Sequence, residues 1–259
     1  MTSSPSTEWQ GRNHDKDQLR QTIWALLTEQ RAVQRDPVGH IPHFIDAAVA
    51  AAKLAELPIW QAAQVVKCNP DAPQKSVRWR ALEAGKLLYM AVPRLAKPRC
   101  FVALQRRSLA AKGIPLLQAA NMRDALIHGE WVTFEEMQPI DLVVVGCVAV
   151  SRQGGRTGKG AGFADLELAM LREAGLVYPA TPIVTTVHRL QIVEGDRLPM
   201  QRHDWPLDWI VTPETAIATH STWPRPTGLD WATLQPDQLR KIPALQLLRQ
   251  QRQLPSDDE

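Results

Sequence analysis

The segment Gly155-Arg156-Thr157-Gly158-Lys159-Gly160-Ala161-Gly162-Phe163-Ala164-Asp165 carries the sharpest chemical signal in the chain. Glycines at alternate positions let backbone N–H groups turn inward and approach an anion closely. Arg156 and Lys159 add positive charge and further donors. An apolar strand pattern precedes the segment and a helical pattern follows it. The start of that helix therefore adds its own N–H groups and the positive end of its dipole. Phosphate binding is the chemistry that these residue types suit at this spacing; a mobile glycine-rich turn is the plain alternative. The segment is not a P-loop, because no Gly-Lys-Ser/Thr follows a four-residue gap, and it lacks the GxGxxG spacing of a dinucleotide site.

Further polar residues stand out. Lys16 and Arg20 lie one helical turn apart, and a solvated helix face accounts for them as well as a ligand does. Asp165 fits an early-helix acid favoured by the dipole, and His203-Asp204 fits a turn cap, with Asp208 read as structural. His40 and His43 flank Pro42 with no third ligand near them, so no transition-metal site is expected there.

These residues need elements to position them. Leu19, Ile23, Leu26 and Leu27 follow helical spacing from about residue 15, and Pro37 and Gly39 stop that pattern. Residues 46–57 and 75–84 predict helices, and 64–67, 86–92 and 99–104 predict strands. Asn69-Pro70-Asp71-Ala72-Pro73 is a turn cluster. Residues 140–150 are the most apolar run and predict one strand covered on both faces. A helix over 164–174 and short strands over 182–187 and 209–211 follow. The alternation predicts an α/β fold, a mostly parallel sheet flanked by helices. Leu234, Leu239, Ile242, Leu245 and Leu248 predict a C-terminal helix broken at Pro243, packed on the body or on a partner.

Composition narrows the class. Apolar residues are 44% and charged residues 22% of the 259, with 14 Gly and 20 Pro. That excludes wholesale disorder, collagen and a disulfide scaffold. A net charge of +3 permits an anionic ligand without requiring nucleic acid. Cys68, Cys100 and Cys147 lie far apart with no CxxC pair, which predicts buried thiols in a reducing compartment. No apolar stretch reaches the roughly 18 residues of a membrane span. The N-terminus is polar, so a soluble, cytoplasmic protein is expected. Residues 159–166 superficially match the core motif of an RNA-recognition module, but Ala161 and Leu166 stand where that motif needs aromatics. Nucleic-acid binding is not expected.

The glycine segment, with its surroundings, resembles the 5-formyltetrahydrofolate cyclo-ligase (methenyltetrahydrofolate synthetase) family. Arg156-x-Gly158-x-Gly160-x-Gly162-Phe163-Ala164-Asp165 stands where the family usually has Arg-x-Gly-x-Gly-x-Gly-Tyr-Tyr-Asp. Lys16-x-x-Leu19-Arg20, Gly85-Lys86 before a strand ending at Pro93, and His203-Asp204-Trp205-Pro206-Leu207-Asp208 agree in order. Val65-Val66-Lys67-Cys68-Asn69-Pro70-Asp71 resembles the divergent "synthetase domain-containing" branch. Between a disordered arm over 1–14, predicted by its polar, Ser- and Thr-rich composition, and a helical extension and tail over 216–259, predicted by the leucine pattern, the resemblance implies a Rossmann-like cyclo-ligase fold over residues 15–215. It implies ATP and magnesium as cofactors and a reduced folate as substrate. ATP would phosphorylate the formyl oxygen of 5-formyltetrahydrofolate, and ring closure with loss of phosphate would give 5,10-methenyltetrahydrofolate. Carried over to matching positions, Lys16, Arg20, Arg156, Thr157, Gly158, Lys159, Gly160, Ala161 and Gly162 would bind ATP. Arg156 and Lys159 would be catalytic, and Asp165 and Asp204 would hold the metal. Phosphoryl transfer asks the protein chiefly for positioning and charge neutralisation, which suits this residue set.

The substrate side departs from the family. The paired tyrosines are Phe163 and Ala164, in a chain with nine Trp and only two Tyr. Asn69 occupies the place of the folate-binding acid, and an amide cannot accept a charge-assisted hydrogen bond as a carboxylate does. Leu166 replaces the arginine that commonly follows the loop aspartate. Phe163 and Asn69 remain the substrate-binding candidates. The expectation is a protein that binds Mg–ATP but is a poor or redirected cyclo-ligase; the alternative is a nucleotide-binding accessory member without that activity.

Overall fold

The computed structural model describes residues 13–253. Of the expected disordered arm over 1–14, residues 1–12 lie outside the described residues. Asn13 caps the first helix, α1 (His14–Glu29), by accepting from the Lys16 N–H at 2.9 Å. The chain continues through α2 (Ala47–Glu56), α3 (Pro58–Ala62), β1 (Val65–Cys68), α4 (Lys75–Glu83), β2 (Leu87–Ala91), β3 (Phe101–Leu104), α5 (Arg106–Ala111), α6 (Leu116–Ala119), α7 (Met122–His128) and β4 (Glu130–Val132). It then forms β5 (Leu142–Val144), β6 (Ala149–Ser151), β7 (Arg156–Thr157), α8 (Phe163–Glu173), β8 (Ile183–Thr186), β9 (Ile192–Val193), β10 (Trp209–Val211), β11 (Ala216–Ala218), α9 (Pro236–Lys241) and α10 (Pro243–Gln253).

Eight strands make one sheet in the order β11-β10-β8-β5-β1-β2-β3-β4. From β10 to β2 the pairing is parallel. The edges are not: β3 and β4 run antiparallel beyond β2, and β11 runs antiparallel beyond β10. The expectation of a mostly parallel sheet flanked by helices holds, with antiparallel strands at both edges.

The twofold period of a strand divides the core. Val66, Leu88, Met90, Leu142 and Val144 pack on one face with Leu54, Val77, Leu82 and Ala125 of the helices there. Val65, Tyr89, Ala91, Val143 and Val145 pack on the other with Leu168, Met170 and Leu171 of α8. Ile242, Ala244, Leu245 and Leu248 join this second cluster. Pro243 opens α10 instead of merely interrupting a helix, as suits its fixed φ and missing N–H. Leu19, Ile23, Trp24 and Leu27 of α1 bury against Val148, Ala149 and Val193 of the three-stranded sheet β7-β6-β9.

The expectation of a single strand over 140–150 fails. Residues 140–150 are two strands in two sheets. The break lies at Gly146, where a Cβ would stand 3.1 Å from Asp71 Oδ2, Gln74 Oε1 and Ile41 Cγ1. A glycine inside an apolar run marks this kind of close approach. The chain leaves the large sheet after the Val145 N–H bonds to Val184 O and enters the small one where the Val148 N–H bonds to Thr157 O.

Candidate functional site

The carboxyl ends of β1, β2 and β5 open into a cavity of about 1580 Å³, lined there by Asn69, Val92 and Gly146. This is where open α/β sheets commonly place ligands. The glycine segment, α1, the turn at 201–204 and the stretch 224–238 complete its walls.

Two ion pairs meet at the base of the glycine segment. Lys16 of α1 pairs with Asp204, whose Oδ2 also accepts from the Gln201 N–H at 2.6 Å. Arg156 pairs with Asp165, whose Oδ1 also accepts from the Trp205 N–H at 2.9 Å. Arg156 Nε donates to Trp205 O at 2.7 Å, and Nη1 has no partner among the described residues. Arg20 donates to Thr157 Oγ1 and to Asp17 Oδ1, each at 2.6 Å. Lys16, Arg20, Arg156 and Asp204 are all buried. The solvated-face reading of Lys16 and Arg20 therefore fails, since long cations are buried only when paired. Burial raises the Asp165 carboxyl above the ordinary carboxylate range; Arg156 opposes the rise and nearby Asp204 adds to it. Two carboxylates thus stand close enough to feel each other.

The loop itself is built as the alternating glycines suggest. Arg156 and Thr157 are strand residues of β7, and the turn proper runs from Gly158 to Gly162. Gly160 and Gly162 take φ values of +109° and +67°, conformations that other residues rarely adopt. Gly162 starts α8 with no capping side chain, so the first-turn N–H groups are offered to an anion. Lys159 is 44% exposed and reaches Asp71 Oδ1 at 3.1 Å. Gly158, Ala161 and Ala164 also line the cavity.

Asn69 directly follows the carboxyl end of β1. Its Oδ1 accepts from Lys67 Nζ at 3.2 Å, and Lys67 forms an ion pair with Glu167 of α8. Lys67 is fully buried and Glu167 3% exposed. Burial raises the Glu167 carboxyl, and Lys67 opposes that rise. Arg78 of α4 holds this turn, donating to Asn69 O at 2.5 Å, Asp71 O at 3.1 Å and Ala120 O at 2.9 Å. Both side-chain polar atoms of Gln74 are buried there without a partner among the described residues. Phe163 is half-buried and packs beside the α8 core. Sequence reasoning missed Lys67 and Glu167 as site residues. A signal was present for Lys67, a lone charge in a buried apolar strand that demands a partner, but nothing in the sequence pointed to Glu167 as that partner. Asp208 is structural as expected, accepting from the Ile183 N–H at 2.7 Å and pairing with Arg225.

Residues 12–213 match the sequence profile of the 5-formyltetrahydrofolate cyclo-ligase family. The chain belongs to this family. Methenyltetrahydrofolate synthase domain-containing protein of Mus musculus is 38% identical over 237 residues, covering 91% of this chain and 63% of the relative. The Bos taurus protein of the same name is 37% identical over 245 residues, covering 94% of this chain and 64% of the relative. The chain thus spans less than two thirds of the length of these relatives. The NMR structure of Aquifex aeolicus 5,10-methenyltetrahydrofolate synthetase superposes with a TM-score of 0.51 at 19% identity, covering 85% of this chain and 99% of that one. That likeness establishes the cyclo-ligase fold. Among the described residues, no helix is long and apolar enough to cross a membrane.

Proposed function

We propose that this cyclo-ligase family member acts on 5-formyltetrahydrofolate with ATP and magnesium, closing the ring to 5,10-methenyltetrahydrofolate through a phosphorylated formyl group. The observation that carries the reading is the convergence of the Lys16–Asp204 and Arg156–Asp165 pairs on an uncapped helix start behind the Gly158–Gly162 turn. The glycine amides receive the triphosphate, Lys159 swings from Asp71 to its outer oxygens, and Arg20 fixes the turn through Thr157. Arg156 sits behind the loop, where its unpartnered Nη1 adds positive charge next to the transferred group.

The donor set suits magnesium. Among the described residues no cluster of three or more His, Cys, Asp or Glu could hold a metal, and magnesium commonly takes one or two carboxylates with phosphate and water oxygens. Asp165 and Asp204, each with one oxygen engaged by a cation, supply those two carboxylates. A bound magnesium ion would neutralise charge on the β- and γ-phosphates and relieve the repulsion between the two aspartates.

The folate then lies on the Phe163 side of the cavity. One observation supports the second reading, an accessory nucleotide-binding member without cyclo-ligase activity: the Asn69 amide oxygen is already used by Lys67, so this position offers the pterin no negative charge. Incubation with 5-formyltetrahydrofolate, ATP and magnesium decides between them. Growth of the methenyl-folate absorbance is expected, dependent on both ATP and metal. Binding of Mg–ATP in a calorimeter without that absorbance selects the accessory reading, and absence of both rejects the nucleotide site.

A further inference from the structure

The family match ends at residue 213, but the cavity does not. Its outer wall is the stretch from Pro224 to Gln238, and this stretch is fastened along its length. Arg225 donates to Pro179 O at 2.7 Å and Thr181 O at 2.8 Å and pairs with Asp208. Glu173, the last residue of α8, accepts from the Leu229 N–H at 3.2 Å and from Trp231 Nε1 at 3.3 Å. A Cβ on Gly228 would stand 2.5 Å from Glu173 Oε2, and the φ there is +153°, so this approach needs glycine. Beyond the wall, buried Ile242 and Leu245 tie its far end to the core.

The anchoring residue Glu173 lies on one stripe of α8 with Phe163, Leu166 and Ala169, at spacings of three or four residues. The wall is therefore laid along the helix face that begins directly behind the glycine turn. Between that face and the wall the cavity changes character. The buried cations Lys16 and Arg20 sit at the glycine end. The α8–wall end is lined by Leu166, Ala169, Leu229 and Leu234, with neutral hydrogen-bonding groups on Thr227, Thr233, Gln235 and Gln238, the carboxylate Asp230, and Arg225, whose guanidinium is already held by Asp208 and two backbone carbonyls. Such a lining, largely apolar with a few polar groups, suits an uncharged heterocycle rather than a phosphate.

We infer that residues 224–238 form a preformed substrate-selecting wall, against which the heterocycle of the folate packs, with Leu234 as a specificity-determining contact. The inference rests on the cyclo-ligase reading and adds to it a specificity element outside the family-matched segment.

The test uses the full chain with Leu234→Trp, Leu234→Ala and, as control, Leu247→Ala on the exposed face of α10, where Leu247 is 41% exposed. Calorimetric titrations use 5-formyltetrahydrofolate and, separately, Mg–ATP, with thermal unfolding of each protein alongside. Leu234→Trp is expected to weaken 5-formyltetrahydrofolate binding about tenfold or more while Mg–ATP binding changes less than about twofold. Leu234→Ala weakens folate binding in the same sense, and Leu247→Ala alters neither ligand. If Leu234→Trp does not fold, Leu234→Ala gives the same decision. Unchanged folate binding in folded variants of a protein that binds the folate, or equal weakening of both ligands, overturns the wall and leaves the cyclo-ligase reading in place. A wild-type protein that does not bind 5-formyltetrahydrofolate overturns both.

Discussion

Lys67 is a charged side chain in a strand whose other residues, Val65, Val66 and Cys68, are all buried, and its partner Glu167 is equally enclosed. Removing one member of such a pair strands the other charge in a low-dielectric interior. Lys67→Met is expected to destabilise the fold by about 3–5 kcal/mol, and the double variant Lys67→Met/Glu167→Leu by clearly less. Urea unfolding measures both; a single variant costing under about 1 kcal/mol would place the pair among weak, solvated contacts. Gly158 allows the reverse separation. A Cβ there meets nothing within 4 Å, so Gly158→Ala should fold within about 0.5 kcal/mol of wild type. If the backbone there approaches the triphosphate closely, the added Cβ should hold the phosphate off and Mg–ATP binding should fall about tenfold. Unchanged affinity in the calorimeter would remove Gly158 from the phosphate site. The glycine turn was legible in the sequence because its chemistry is local. The Lys67–Glu167 pair was not, because each charge has its explanation in the other, a hundred residues along the chain and on a different element.

At the scale of elements, the fold depends on how the chain crosses from β5 to β6. The apolar run 140–150 reads as one strand because apolarity alone cannot say which sheet a residue joins; only Gly146 hinted at the crossing. What fixes the crossing is a short turn at Arg189–Gln191. Gln191 Nε2 donates to Cys147 O at 2.9 Å and Val148 O at 3.1 Å, and the Leu190 N–H donates to His188 Nδ1 at 3.3 Å. Protonation of that ring nitrogen would remove the acceptor. Burial lowers the His188 pKa, with Glu214 opposing and Arg189 adding to the effect. His43 is lowered in the same direction by burial, Arg35 and Lys75. Because the folded form prefers the neutral ring, each contributes stability present above the ordinary histidine value, about 6.5, and lost as pH falls through the lower folded value. His188→Asn keeps an acceptor at the turn and abolishes the titration. Between about pH 7 and about pH 5 its urea midpoint should therefore fall less than that of wild type. Parallel pH dependences would exclude His188 as an acid-sensitive point.

At the scale of the whole molecule, the site is an assembly of segments far apart in sequence. Lys16 and Asp204 are 188 positions apart, and Arg20 and Thr157 are 137 apart. Spacing alone could not reveal these contacts; the order of motifs along the chain could, since it matched a family whose fold brings them together. The outer wall was illegible even then, because it lies beyond the matched residues. This assembly has a consequence for dynamics. Helix α1 is attached to the body through its apolar face on the small sheet and through polar contacts that include Lys16–Asp204, ending at the 201–204 turn, and Arg20–Thr157, ending on β7 directly before the glycine turn. A ligand that bridges the glycine turn, Asp165 and Asp204 should therefore stabilise α1 together with α8, although α1 precedes the rest of the site by more than a hundred residues. At a hundredfold excess over its dissociation constant, Mg–ATP bound as proposed would add about 2.7 kcal/mol to stability, which would slow exchange of globally protected amides about a hundredfold. Hydrogen exchange with and without Mg–ATP should show that slowing in the buried turns of both helices. Protection confined to α8 would mean that the nucleotide does not engage the Lys16–Asp204 pair and that α1 serves only to cover the small sheet.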